Sequence, residues 1–116
     1  MTATILPPPV VLTDEDIDAI PPVQLGPSPG VTHRVLWCNE HATAGVLTVQ
    51  AGARLGVHVH GATDHHLWVL QGHATILGRR LGPGSYAYEP SHVQHDIDAS
   101  DTDGCTVFYL YLRPQV

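Results

Sequence analysis

The sequence predicts an all-β protein of one domain, and its strand pattern and turn residues carry this prediction. From residue 23 onward, short apolar or alternating runs of about 4–8 residues follow one another, with turn residues about every 8–12 positions. Eleven Gly and ten Pro are spread along the 116 residues, as in a β protein with many turns. A helical period does not occur after residue 22. The pattern is typical of a β-sandwich or β-barrel.

The first 22 residues are predicted to form a Pro-rich N-terminal arm with one short helical turn. Residues 1–12 are expected to be extended because of their prolines. Thr13 can cap a helical turn whose acidic residues lie at its positive end, and Pro21 and Pro22 end it. Residues 23–116 then form the β-domain, which opens with a loop at 23–30.

Eight strands are predicted in the β-domain, from apolar runs bounded by turn residues. The last run, CTVFYLYL, is the most apolar and is expected to be central in its sheet. The predicted strands are 31–38, 45–50, 54–60, 66–72, 74–78, 86–88, 93–99 and 105–112.

Charge and composition exclude several functions. The net charge is −6 with only five Lys and Arg, so nucleic-acid binding is not expected. The start of the chain lacks the charged region of a signal peptide, and no apolar run is long enough for a membrane helix. Cys38 and Cys105 lack metal-type spacing and are expected to be reduced packing residues in strands. A cytoplasmic protein is therefore expected.

Histidines are the main functional signal, because six of the nine in the chain lie in two stretches, 52–72 and 84–95. His58 and His60 are two residues apart, so on a strand they share one face about 6–7 Å apart. The turn after them can bring His65 in from a neighbouring strand, and His95 is a distant fourth candidate. Imidazole is the commonest protein ligand for transition metals. The alternative is a set of surface or core histidines with ordinary hydrogen bonds.

The alternation of side chains along a strand allows only one of two adjacent histidines to face the metal site. His65 and His66 point to opposite faces of a strand, so only one can join the site. Leu67 and Val69 share the face of His65, whereas Trp68 lies on the other face and is expected to serve packing or a dimer contact.

The two stretches read G-ARLGV-H-V-H-GATD-H-HLWVLQ-G and G-SYAYE-P-S-H-VQ-H. They resemble the two motifs of the cupins, G-x5-H-x-H-x3-4-E-x6-G and G-x5-P-x-G-x2-H-x3-N. The resemblance implies a cupin-type jelly-roll β-barrel, commonly a homodimer. It also implies a metal site whose ligands are His58, His60, His65 and His95.

Three residues depart from the cupin motifs: His65 replaces Glu, His92 replaces Gly and Ala99 replaces Asn. The first departure changes the charge of the site, because four neutral imidazoles do not reduce the charge of a divalent ion as a carboxylate would. A more positive site stabilises anionic substrate oxygens better. It also favours Fe, Ni, Cu or Zn over Mn. We expect one divalent transition metal ion, with Fe(II) favoured and Zn, Ni or Cu as alternatives.

The other candidate residues have weaker signals. His92 is expected at the rim of the barrel, and Tyr86 and Tyr88 either line the pocket or pack in the other layer. Asp64 and Glu89 are expected in surface turns, with an acid or base role as the alternative. The remaining histidines are expected to be surface or core residues: His33, His41, His66 and His73.

Cupins with all-histidine sites resemble oxygenases that cleave dicarbonyl or hydroxy-aryl ketone substrates. The resemblance therefore implies an Fe(II)-dependent dioxygenase acting on a small molecule, with Leu67, Val69 and Ile97 forming an apolar pocket wall. Two alternatives stay open: a zinc cupin that acts as a Lewis-acid cyclase or isomerase, and a non-catalytic sensor module. The intact ligand positions argue against a storage barrel. The sequence does not assign a catalytic residue.

Overall fold

The computed structural model describes residues 8–59 and 63–113, with the backbone alone for 56–59. This part of the chain contains one short helix and ten strands. Their bounds are α1 Asp14–Asp18, β1 Val23–Gln24, β2 Val31–Cys38, β3 Ala42–Val49, β4 Arg54–Val59, β5 Asp64–Gly72, β6 Ala74–Ile76, β7 Arg79–Leu81, β8 Tyr86–Glu89, β9 Gln94–Asp98 and β10 Cys105–Leu112.

The strands form two antiparallel sheets. The larger has six strands in the order β1-β2-β3-β10-β5-β8, and the smaller has four in the order β4-β9-β6-β7. Buried residues from both sheets form one hydrophobic cluster. The all-β fold class is therefore confirmed, as a jelly-roll of two sheets. Strand β10 pairs with β3 on one side and β5 on the other, which confirms its predicted central position.

Most strand predictions are confirmed, and those for β2 and β10 match to the residue. Two strands were not predicted. Val23–Gln24, at the start of the expected loop, pairs with β2, and Arg79–Leu81 pairs with β6. With two and three residues, these strands are too short to show an alternating pattern.

The helical turn of the arm is confirmed as α1, which begins after Thr13. Thr13 and Asp16 form a capping box. The Thr13 backbone N–H donates to Asp16 Oδ2, and the Asp16 backbone N–H donates to Thr13 Oγ1, each at 3.0 Å. This pair satisfies two amides that a helix start leaves without intrahelical partners. In the described part of the chain, no helix is long and apolar enough to span a membrane.

The core lies between the sheets and consists of aliphatic side chains with one tyrosine and one cysteine. Each fully buried Val, Leu or Ile side chain contributes about 1.5–3 kcal/mol of transfer free energy. Both cysteines are free thiols. Cys105 belongs to this cluster, as expected for a packing residue, whereas the packing role expected for Cys38 is wrong, because Cys38 is exposed. The cluster comprises Val31, Leu47, Val49, Leu67, Val69, Ala74, Ile76, Ile97, Ala99, Cys105, Val107 and Tyr109.

Gly45 makes room for the ring of Tyr109. The two residues are Cα partners in the pairing of β3 with β10, and a Cβ added at Gly45 would overlap the Tyr109 ring and hydroxyl. Tyr109 is completely buried. A side chain at position 45 would therefore displace the largest residue of the core.

We predict that Gly45→Ala lowers the free energy of unfolding by about 1–3 kcal/mol, the usual cost of overpacking a core. Chemical denaturation measures the difference. Gly82→Ala is the matched control, because a Cβ there would meet only the His73 ring at 3.3 Å, and that side chain is 39% exposed and can move. Equal destabilisation by the two substitutions would contradict the prediction.

The buried thiol of Cys105 predicts a loss of stability in alkaline solution. Burial raises the pKa of Cys105 from 9.0 to about 11. The unfolded chain then releases the thiol proton at a lower pH than the folded chain. The contribution of this group is complete below about pH 9 and is lost as the pH rises toward 11.

We therefore expect Cys105→Ala to flatten the fall of the melting temperature between pH 9 and 11, whatever its effect on stability at pH 7. Thermal melts across this range measure the slope. Cys38→Ala, at an exposed position, serves as the control and should follow the wild-type profile. A Cys105→Ala profile parallel to wild type would show that the thiol does not contribute.

Candidate metal centre

Three buried polar side chains converge in the interior of the jelly roll. His65, Glu89 and His95 are 5%, 1% and 2% exposed. One potential ligand atom from each lies within 4.8 Å of the others. Burial of ionisable groups costs free energy unless they are paired or coordinate a metal, so such a cluster is a candidate site.

The pairing of β5 places two of these residues side by side. In the six-stranded sheet, His65 of β5 lies directly opposite Glu89 of β8 and, on its other side, opposite Tyr111 of β10. His95 comes from β9 in the four-stranded sheet, and its ring stacks on His65 with 4.6 Å between ring centroids. The group therefore joins the two sheets.

Glu89 contacts His95 inside the protein. Its Oε2 atom lies 3.4 Å from Nδ1 of His95, and both side chains are 2% exposed. Burial raises the pKa of Glu89 from 4.5 to about 7, a backbone hydrogen bond from Asp96 opposes the rise, and the charge of Asp96 reinforces it. A cation in the site would favour the ionised carboxylate.

A column of stacked rings supports His65 from behind. Tyr111 stacks on His65 at 3.8 Å, and Tyr109 stacks on Tyr111 at 4.2 Å. The Tyr109 hydroxyl shares a 2.8 Å hydrogen bond with Nδ1 of His33. Burial raises the pKa of Tyr111 well above its ordinary value of 10.0, so Tyr111 is a neutral packing partner at neutral pH.

The ring of His65 is also held at its edge. Its Nε2 atom shares a 2.8 Å hydrogen bond with the Thr63 hydroxyl. Stacking between Tyr111 and His95, together with this hydrogen bond, fixes both the plane and the rotation of the ring.

The structure brings together two of the four histidines predicted as ligands, His65 and His95. His60 and the side chain of His58 lie outside the described residues. The backbone of His58 is described, and it is the Cα partner of His95 in the pairing of β4 with β9. The four-histidine ligand set stays a prediction.

Glu89 corrects the sequence analysis, which expected it in a surface turn. It is the last residue of β8, where exposed Tyr86 and Tyr88 alternate with inward-facing positions. The inward direction of Glu89 could have been inferred had the tyrosines been assigned to the outer face. The group therefore contains a carboxylate in addition to its imidazoles, which makes the site less positive than four imidazoles alone would.

Asp64 is the half-buried first residue of β5, whereas a surface turn was expected for it. Its Oδ1 atom accepts a 2.7 Å hydrogen bond from the backbone N–H of Ser91. The contact ties the start of β5 to the turn that precedes β9. Asp64 thereby helps to bring the strands that carry His65 and His95 together.

His92 and Ala99 depart from the cupin motifs in different ways. His92 is exposed and has a φ of +66°, so it adopts the left-handed conformation that glycine adopts at low cost. This conformation explains why the motif has Gly there. Ala99 is completely buried in the core.

The outer face of the larger sheet carries an aromatic cluster that includes Tyr86 and Tyr88. These two residues therefore do not line the interior pocket. Both are 48% exposed, and both rings contact His66. Trp68 contacts Tyr86 and Phe108 on the same face. These rings lie on the other side of the sheet from His65, as parity predicted for His66 and Trp68.

The other histidines lie outside the group, as expected. His33 is half-buried against Tyr109. His41 is 68% exposed beside Glu40, and His73 pairs with Asp103 at 3.1 Å.

The described donors fit a transition metal ion. Two imidazoles and a carboxylate are ligands for Zn, Fe, Cu and Ni. Oε2 of Glu89 is buried, and its one close polar contact among the described residues is the 3.4 Å approach to Nδ1 of His95. A bound cation would compensate a carboxylate that the protein otherwise buries at a cost.

The sequence also matches a known family over nearly all of the described chain. A family model, the ChrR cupin-like domain, matches residues 14–113. The chain therefore belongs to the ChrR cupin-like domain family of the cupin superfamily. No curated protein matches the sequence.

Several solved structures resemble the fold. KdgF from Halomonas sp. is 25% identical, with a TM-score of 0.65 and coverage of 76% of this chain and 84% of that one. The polyketide cyclase RemF from Streptomyces resistomycificus is 18% identical, with a TM-score of 0.72 and coverage of 90% and 83%.

A third structure is the complex of SigE with the anti-sigma ChrR from Rhodobacter sphaeroides. The matched chain of that structure is 21% identical to this chain, with a TM-score of 0.66. The match covers 81% of this chain and 49% of that one. The last two likenesses support the fold alone.

We predict that His65→Ala and His95→Ala each reduce the affinity for Zn²⁺ at least 10-fold, because each removes an imidazole from the buried group. Competition with a chromophoric chelator measures the affinity. His41→Ala is the matched control, since His41 is an exposed histidine outside the group. Unchanged Zn²⁺ affinity in both site variants would contradict a metal centre here.

Proposed function

We propose that this chain binds one divalent transition metal ion through His58, His60, His65 and His95, with Fe(II) as the preferred ion. We further propose that it is a dioxygenase acting on a small dicarbonyl or hydroxy-aryl ketone. One observation supports the metal site above the others: His65, Glu89 and His95 are buried together with their ligand atoms within 4.8 Å. The homodimer and the cytoplasmic location expected from the sequence stay predictions.

The surroundings of the group suit an apolar organic substrate. Leu67 and Val69 follow His65 on the inner face of β5, and Ile97 follows His95 on β9. All three are at most 4% exposed. Apolar walls exclude water, and electrostatic interactions at a dry site are stronger than in solution.

The chemistry is divided between the ion and the protein. A bound Fe(II) would supply a Lewis acid for the oxygens of the ketone and the redox chemistry for dioxygen. The imidazoles would hold the ion. The stacked rings behind His65 keep that side chain in one orientation, and the aliphatic wall would contact the hydrocarbon part of the substrate.

A regulatory module is the second candidate, and the family match favours it. The ChrR cupin-like family model covers residues 14–113, and the anti-sigma ChrR was solved in complex with SigE. In this function, metal or small-molecule binding would change the affinity for a protein partner without turnover. The same buried group would serve as the sensing site.

We expect the chain loaded anaerobically with Fe(II) to consume oxygen only when a β-diketone or a hydroxyacetophenone is added. An oxygen electrode measures the rate, and product analysis shows whether a carbon–carbon bond is cleaved. The Zn²⁺-loaded protein and the iron-treated His65→Ala variant are the controls and should consume none.

Other outcomes separate the alternatives. Redox-neutral conversion by the Zn²⁺ form would favour a Lewis-acid cyclase or isomerase. Tight metal binding without conversion of any substrate in either form would overturn the dioxygenase proposal and favour the regulatory module.

A further inference from the structure

The position of Glu89 indicates a function within the metal centre that neither the cupin motifs nor the family match assigns. It faces His65 across the pairing of β5 with β8, and it contacts His95 from the opposite sheet. The carboxylate thus lies beside both described histidines, and Glu89 is 1% exposed.

The contact engages one specific atom of the His95 ring. Oε2 of Glu89 lies 3.4 Å from Nδ1 of His95. The two nitrogens of an imidazole point in different directions, so the nitrogen that faces the carboxylate is not the one that faces an ion. A neutral imidazole also carries its proton on only one nitrogen. A proton on Nδ1 leaves the lone pair of Nε2 for the metal.

We infer that Glu89 is a positioning residue of the metal centre, which accepts a hydrogen bond from Nδ1–H of His95 and so directs Nε2 toward the ion. The inference rests on the proposed metal site. A carboxylate on the far nitrogen of a ligand histidine fixes the tautomer and the ring orientation, and it makes the ligating nitrogen more basic.

The surroundings of Glu89 support this function over a direct salt bridge to a cationic side chain. Within the described chain, His95 provides the one ion-pair contact of Glu89. The Glu89 carboxyl also accepts a hydrogen bond from the backbone of Asp96 and is repelled by the Asp96 carboxylate. Tyr111 interacts electrostatically with Glu89. None of these is a lysine or an arginine that would neutralise the carboxylate.

The chain contains a matched control for this contact. Glu40 and His41 form the same type of pair at 3.3 Å, but their side chains are 81% and 68% exposed. Substitution of Glu40 therefore removes a carboxylate from a histidine without affecting a buried site.

The test compares Glu89→Ala, Glu89→Gln and Glu40→Ala in the full chain. We expect Glu89→Ala to weaken Zn²⁺ binding 10- to 100-fold, the usual effect of removing such a partner. Glu89→Gln should lose less Zn²⁺ affinity, because its amide oxygen can still accept a hydrogen bond from Nδ1–H of His95. Glu40→Ala should bind as wild type. Wild-type affinity in Glu89→Ala would overturn the inference.

A second measurement reads the tautomer directly and does not need a metal. In the metal-free protein, side-chain ¹⁵N shifts should show His95 protonated on Nδ1 in wild type and in Glu89→Gln. In Glu89→Ala they should show protonation on Nε2 or a mixture of tautomers. Circular dichroism confirms that each variant is folded.

The two measurements separate this inference from the proposed function. If the wild type fails to bind metal but Glu89→Ala changes the His95 tautomer, the metal proposal fails and the positioning contact stands. If the wild type binds metal and neither affinity nor tautomer changes in Glu89→Ala, the positioning inference is wrong and the metal centre stands.

Discussion

The register of β5 against its two neighbours is the constraint on which the site depends. Hydrogen bonds to β8 and β10 place His65 between Glu89 and Tyr111. A slip of one residue would turn His65 outward and His66 inward, and it would also expose Leu67 and Val69. The buried aliphatic residues of β5 therefore fix the position of the histidine, so the hydrophobic core and the candidate metal centre are specified by the same interaction.

Most of the fold could be predicted from local patterns, because the longer strands alternate or are strongly apolar. The eight-residue strands β2 and β10 were predicted to the residue. Thr13 and Asp16 form a capping box, and Thr13 was predicted as the cap. Parity along β5 correctly separated His65 from His66. The shortest strands, β1 and β7, were not predicted. Strands of two or three residues form only through pairing with a neighbouring strand, and this pairing leaves no local pattern in the sequence.

Parity along β8 could have given the inward direction of Glu89, but local patterns could not have given its burial beside His95. A Glu beside a Pro is usually a surface residue, since burial of a carboxylate costs several kcal/mol. Its burial becomes intelligible only when β8 is paired with β5 and β9 lies opposite, which brings His95 within 3.4 Å. The sequence motif marked His95 through its spacing, but spacing along the chain contains no information on which side chains from other strands surround a ligand.

The column of rings behind His65 has a thermodynamic consequence. His65, Tyr111 and Tyr109 stack at 3.8 and 4.2 Å, and a hydrogen bond to His33 ends the column. A ligand ring clamped in this way has already lost its rotamer freedom during folding. An ion bound at this site would then order little more of the protein, so the core would already have met most of the entropy cost of coordination.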